Sequence, residues 1–161
     1  MSRFDNEVRV TLSVLDRLID YEPEVSREAP ASRSKNLRLL KQAVRRDLEW
    51  LLNTRQPPLL PAGLSEVLGS AWAYGIPDFS TLSSRNPSDQ LRLKRALEFA
   101  LEAFEPRLED VVVHVDTTDT VTRTLRFRID ARLKVDPAPE PVTFDTTFQI
   151  GNGEFRVKGE A

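Results

Sequence analysis

Cysteine is absent from the chain, and histidine occurs once, at His114. The first absence removes disulfides, thiolate zinc sites and thiol nucleophiles together. The second removes His-rich metal sites, so a metal centre or triad built on His114 is not expected. Neither sign of charge dominates: 23 Lys and Arg face 25 Asp and Glu, for a net charge of -2. A protein made to hold a polyanion is not indicated, and any nucleic-acid site would be a local patch. Long apolar runs are missing too. The longest uncharged stretch, Val67 to Pro77, contains Gly, Ser and Pro and is far short of the roughly 20 apolar residues that span a bilayer. The first ten residues mix Arg3, Asp5, Glu7 and Arg9, which is not the order of a signal peptide. These features predict a soluble, cytoplasmic chain without membrane insertion.

What is present fits one packed domain: 161 residues, 40% hydrophobic and 30% charged. Six Gly are few, and eleven Pro fall in clusters that punctuate the chain. Val8, Leu12, Leu15 and Ile19 recur at helical spacing and predict a short helix over 8–20. Residues 21–36 have no period and two Pro, which reads as a flexible surface connection. The N-terminal part is thus 1–36, and the main body 37–161. Leu37, Leu40, Val44, Leu48 and Leu51 form the stripe of a helix over 37–53, with Ser34 as a candidate N-cap. Pro57, Pro58 and Pro61 forbid its continuation. Leu64, Val67 and Leu68 fit one or two helical turns, and Trp72, Tyr74, Ile76 and Phe79 are expected to lie across the core. Asn86-Pro87-Ser88 opens a third helix that Pro106 ends near Phe104.

Beyond Pro106 the period changes from 3.6 to 2. Val111, Val113 and Val115 predict a first strand. Leu125, Phe127, Ile129, Ala131, Leu133 and Val135 alternate with Arg126, Arg128, Asp130, Arg132 and Lys134 in a second. Val142, Phe144, Thr146, Phe148 and Ile150 mark a third. Gly151-Asn152-Gly153 signals a hairpin into a short fourth strand with Phe155 and Val157. Short links imply an antiparallel meander with one buried and one wet face. Helices first and strands after is an α+β pattern, with helices packed on one face of a mostly antiparallel sheet.

Few residues single themselves out for chemistry. Asp47 and Glu49 lie two apart on a helix and point to different faces, and no acid pair is marked as a glycosidase pair. The segment 33–46 holds Arg33, Lys35, Arg38, Lys41, Arg45 and Arg46 without an acid. A solvated helical face and a contact surface for an acidic partner both fit it. Nucleic acid fits poorly, because no aromatic residues for stacking are interleaved. The Arg residues over 126–132 read as the wet face of a strand that also resists accidental pairing. The sharpest anomaly is Glu105-Pro106-Arg107. An acid at a helix C-terminus is unfavourable by about 0.3–1 kcal/mol, and Pro106 stiffens the exit. Glu105 on such a corner is expected to be solvated or to face a basic group, the first candidates being Arg45 and Arg46.

These segments also carry a resemblance. Val44-Arg45-Arg46-Asp47-Leu48-Glu49-Trp50-Leu51-Leu52-Asn53-Thr54-Arg55 resembles the signature of the TssE family of type VI secretion baseplate subunits. Ser13-Val14-Leu15-Asp16-Arg17-Leu18-Ile19-Asp20, Tyr74-Gly75-Ile76-Pro77-Asp78 and Glu105-Pro106-Arg107 are similar to three further motifs of that family, in its order. The family is similar to the small wedge protein of contractile phage-tail baseplates, a group often labelled lysozyme-like. The resemblance implies a cytoplasmic structural subunit of the wedge, not an enzyme and without a cofactor. Its implied partners are TssF, TssG and the sheath subunits TssB and TssC. It implies a fold similar to the sheath's handshake region, where an added strand from the sheath joins the sheet edge and templates polymerisation. It also implies a role in core or partner contacts for Glu105, Pro106 and Arg107. Arg45, Arg46 and Asp47 are the further candidate contacts. A peptidoglycan glycosidase and a weak nucleic-acid binder remain the alternatives.

Overall fold

The computed structural model describes residues 13–18, 33–58, 63, 65–83, 86–119 and 123–159. Four helices precede four strands: α1 (Val14–Leu18), α2 (Arg33–Asn53), α3 (Ser65–Leu68), α4 (Pro87–Phe104), β1 (Leu108–Asp119), β2 (Thr124–Leu133), β3 (Glu140–Gln149) and β4 (Glu154–Lys158). The strands form an antiparallel meander in the order β1-β2-β3-β4. The expected α+β arrangement is therefore the observed one.

The alternation read in the sequence sets the faces of the sheet. Leu125, Phe127, Ile129, Ala131 and Leu133 of β2 are buried with Val142, Phe144 and Phe148 of β3 and Phe155 and Val157 of β4. Phe148 and Phe155 face each other across β3 and β4, their rings stacked 4.4 Å apart. Leu40, Val44, Leu48, Leu51 and Leu52 of α2 and Leu93, Leu97, Ala100 and Leu101 of α4 join the same core. α2 lies against β4, and α4 against β1. Thr146 takes an inward position between Phe127 and Val157, and its buried hydroxyl has no hydrogen-bond partner. The opposite face is wet and carries the expected Arg row, matched by acids: Arg128 with Asp116 at 3.1 Å and Arg132 with Asp110 at 3.3 Å.

α4 starts where expected. Asn86 Oδ1 accepts the Ser88 N–H at 3.0 Å, and Pro87 occupies the first turn, where no N–H is needed. α2 starts earlier than expected. Arg33, Ser34, Lys35 and Asn36 belong to it rather than to a connection, so Ser34 lies inside the helix and is not its cap. The reason is visible in the sequence: neither Pro nor Gly occurs between Pro30 and Pro57. Of the helix expected over 8–20, α1 covers Val14–Leu18; residues 8–12 and 19–20 lie outside the described residues, as do 21–32 and Leu64. The uncharged 71–80 segment divides. Ile76 and Phe79 are buried and Tyr74 is half-buried, as expected, but Trp72 is 63% exposed. Ala71–Ala73 form a single 3-10 turn, and of its three residues the small Ala73 takes the buried position. Among the described residues no helix is long and apolar enough to cross a membrane.

Candidate protein-interaction site

Three chain segments that are distant in sequence meet at the corner between α4 and β1. Ser13 caps α1 reciprocally with Asp16: the Ser13 hydroxyl donates to Asp16 Oδ2 at 2.6 Å and accepts the Asp16 N–H at 3.1 Å. The other Asp16 oxygen accepts Arg46 Nη2 at 2.8 Å. Arg46 Nε donates to Asp47 Oδ1 at 2.9 Å, and its guanidinium lies 5.0 Å from the centre of the exposed Trp50 ring. Asp47 Oδ2 accepts Arg107 Nη2 at 2.6 Å. Arg107 grips Glu105 with two donors, Nε to Oε1 at 2.6 Å and Nη2 to Oε2 at 2.5 Å, and adds its backbone N–H to Oε1 at 3.3 Å.

The α4–β1 turn puts these groups there. The Glu105 N–H closes the last turn of α4 on the Leu101 carbonyl at 2.9 Å, and the Leu108 N–H donates back to the Glu105 carbonyl at 3.0 Å. Pro106 leaves its carbonyl outward, where Lys134 Nζ donates to it at 2.9 Å. Two residues separate Glu105 from Arg107, and this tight turn folds the Arg side chain back over the acid.

The electrostatics are those of a closed cluster. The Glu105 side chain is 5% exposed, that of Asp16 9% and that of Arg107 17%. Burial works to depress the Arg107 pKa but is outweighed by Glu105 and Asp47, so its charge is held firmly. Burial works to raise the Asp16 carboxyl, yet hydrogen bonds from Ser13 and Arg46 and the Arg46 charge outweigh it and hold that carboxyl below the usual carboxylate range. Tyr74 packs edge-on to Phe104 at 5.3 Å. Its hydroxyl is pushed up by burial and by the charges of Asp47 and Glu105. Three carboxylates face two guanidiniums. Arg107 Nη1 is buried without a hydrogen-bond partner and stands 3.8 Å from Asp16 Oδ2.

The sequence expectation for Glu105 is therefore corrected in its partner. Glu105 does meet a basic group, but it is Arg107, not Arg45 or Arg46. Arg46 serves Asp16 and Asp47, and α2 reaches the corner through the acid Asp47. Arg45 is exposed, and its Cδ stands beside Gly159. The basic run of 33–46 is thus interrupted as a surface, with Arg46 drawn into the cluster and Lys41 4.0 Å from Glu140. His114 is on the wet face, 53% exposed at its side chain and 3.5 Å from Asp130, in keeping with its expected surface role.

A second junction joins the remaining motif segments. The Asn53 amide donates to the Phe155 carbonyl at 2.8 Å and accepts the Phe155 N–H at 2.9 Å, so one side chain pairs with both backbone groups of a β4 residue. The Thr54 hydroxyl donates to the Trp50 carbonyl at 2.7 Å. The Thr54 carbonyl accepts the Ile76 N–H, and the Gln56 N–H reaches the Ile76 carbonyl, each at 3.0 Å. Arg55 donates to the Gly153 carbonyl in the β3–β4 turn and to the Leu52 carbonyl. Gly75 is required here: its φ is +111°, and a Cβ would fall 2.4 Å from the Thr54 carbonyl oxygen. Asn53, Arg55 and Gly75 were part of the recognised segments, but spacing alone did not assign them a task, because the task depends on β4, about a hundred residues away.

Chemically, the cluster suits fixing geometry better than moving protons. A general acid must keep its proton near neutrality, whereas Asp16 is shifted the other way and both Glu105 oxygens are bonded to a guanidinium. Among the described residues no group of His, Cys, Asp and Glu is arranged to hold a metal ion.

Two comparisons bear on this arrangement. No curated protein matches the chain. A family model described as baseplate wedge protein gp25 matches residues 38–138, which run from the start of the α2 stripe through the Glu105–Arg107 corner and across β1 and β2. That match covers more than half of the chain and includes the cluster and the motif junction, and on it the protein belongs to the gp25 family of baseplate wedge proteins.

Proposed function

We propose that this chain is the TssE-type subunit of a type VI secretion baseplate. In this reading it is a cytoplasmic, non-enzymatic adaptor joined to TssF and TssG. It carries the TssB–TssC sheath by accepting a sheath strand at its sheet edge, and it templates sheath polymerisation. The observation that carries the reading is the convergence of the motif segments. Asp16, Arg46, Asp47, Glu105 and Arg107 come from three of them and close on one corner, with Tyr74 of the fourth beside them. A buried ion cluster at a helix–strand corner gives a stiff mount from which β1 leaves in a set direction. Stiffness matters because strand addition takes its register and direction from the accepting edge, and because a contracting sheath loads each joint. Many such joints act together, so each one alone can be weak.

The test is sheath assembly in cells with the chromosomal copy replaced by Glu105→Ala or Arg107→Ala. Sheaths should be lost or few, and the purified variants should be checked for folding by circular dichroism. Normal sheaths with a folded variant would refute the role given to this corner. A muralytic assay on the purified chain is expected to show no turnover; turnover would overturn the non-enzymatic reading.

A further inference from the structure

The sheet has two outer strands, and on each a helix side chain already holds an outward-facing backbone group. The two are held very differently. On β4, Asn53 takes both the N–H and the carbonyl of Phe155, so an amide stands where the peptide of an added strand would stand. Farther along, Gly159 has the Arg45 Cδ against it, and a Cβ there would be 3.3 Å away. From Phe155 to Gly159 is about 13 Å of extended chain, and from Asn53 back to Arg45 is about 12 Å of helix. α2 therefore runs beside β4 over that whole stretch. The strand has five residues, and its turn is tied down by Arg55 at Gly153.

On β1 only one group is held. The Val113 N–H donates to Glu98 Oε1 at 3.0 Å, from α4. A carboxylate accepts but does not donate, so Glu98 leaves the Val113 carbonyl unserved. Val113 pairs in register with Ile129, and with its N–H turned to Glu98 it is an outward-facing residue of the ladder. Irregularities between Glu109 and Val112 and between Val115 and Thr117 bracket a regular window at Val112–Val115. Val112 is 41% exposed there and offers apolar contact on the wet face. Lys94 Nζ lies 3.7 Å from Glu98 Oε1, one helical turn away.

We propose that β1 is the edge at which a foreign strand adds, and that Glu98 is its displaceable plug. The occupant is an extended segment of another chain, whose backbone carbonyl replaces Glu98 on the Val113 N–H. Its N–H meets the Val113 carbonyl that Glu98 leaves open. Lys94 keeps the freed carboxylate. Until then the plug guards the only regular stretch of a twelve-residue edge, which keeps two copies from pairing edge to edge. This inference rests on the strand-adding reading above and adds the edge and its guard.

The test mixes the purified chain with the purified sheath pair and follows backbone hydrogen exchange in peptides covering 111–116 and 154–159. The expected result is new protection at 111–116 and none at 154–159. Protection confined to 154–159 overturns the choice of edge and leaves strand addition standing. Protection at neither edge, with the two proteins bound, overturns strand addition and this inference with it. Glu98→Ala tests the plug. Without a partner, the 111–116 peptide should exchange faster, and affinity for the sheath pair should rise about five- to tenfold, since the strand no longer competes with a side chain. Glu98→Gln, which keeps the shape and loses the charge, should give a smaller rise. Unchanged or weaker binding by both folded variants overturns the plug.

Discussion

Arg107→Met isolates what the corner contributes to folding. Both oxygens of Glu105 are bonded to Arg107, and the Glu105 side chain is 5% exposed. Asp47, the other acid on Arg107, keeps Arg46 at 2.8 Å. The loss therefore falls on Glu105, which becomes a buried charge held only by a backbone N–H. Removing one partner of a buried pair costs about 3–5 kcal/mol. The corner is close to the surface, so the lower end applies, about 3 kcal/mol. At this chain length that amounts to a fall in Tm of roughly 6–12 °C. Guanidinium titration and calorimetry at pH 7 read both numbers. Met keeps much of the aliphatic bulk, so charge rather than volume is tested. Glu105→Gln alone should cost less, about 1 kcal/mol, because Arg107 retains Asp47 at 2.6 Å. Added to Arg107→Met, it should recover about 2 kcal/mol by removing the stranded charge. A loss below about 1 kcal/mol for Arg107→Met, or a double variant no more stable than Arg107→Met, would refute this account.

Four further outcomes are expected. Thr146→Val should raise stability by about 1 kcal/mol in chemical denaturation, since it deletes a buried hydroxyl without a partner at nearly constant shape; a loss would show that the hydroxyl is satisfied. Gly75→Ala should lower stability by at least about 2 kcal/mol, from its positive φ and the Thr54 carbonyl in its way, and a thermal melt would reveal a neutral change. Asn53→Ala should cost about 1–3 kcal/mol and speed exchange of the Phe155 amide, with unchanged exchange counting against the clamp. The Asp16 carboxyl is held below its unfolded value, so its contribution is complete above about pH 4 and is lost as pH falls through the folded value. The stability gap between wild type and Asp16→Asn should accordingly be largest near neutrality and close in acid; a gap independent of pH down to about 2 would be inconsistent with that carboxylate's ion pair.

The four strands and α4 were legible because their signals are local. Alternation assigns each face of β2 and β3, and Asn86-Pro87-Ser88 starts a helix wherever it is not overruled. The beginning of α2 was missed by a turn because aperiodic composition was taken as a connection, when only Pro or Gly would have prevented helix. Trp72 was placed across the core by its apolarity, yet size works against burial in a single 3-10 turn, and Ala73 took the place. At the corner, the anomaly of Glu105 was visible and its neutralisation was foreseen. The partner was not, because a two-residue turn brings Arg107 back over its neighbour, and sequence distance misleads at a Pro-fixed bend. Glu98 gave no signal at all: a Lys-x-x-x-Glu pair on a helix reads as surface, and its bond to Val113 exists only once β1 has docked.

The bond between Asn53 and Phe155 spans 102 residues. At about 5–20 residues per second of synthesis, the ribosome delivers Phe155 roughly 5–20 s after Asn53. For that interval the leucine stripe of α2 has no strand to lie on, and the nascent chain must be shielded or held in check. The hairpins, by contrast, close between neighbours as soon as they emerge. This protein therefore completes its architecture backwards, with an early helix waiting for the last strand to be made.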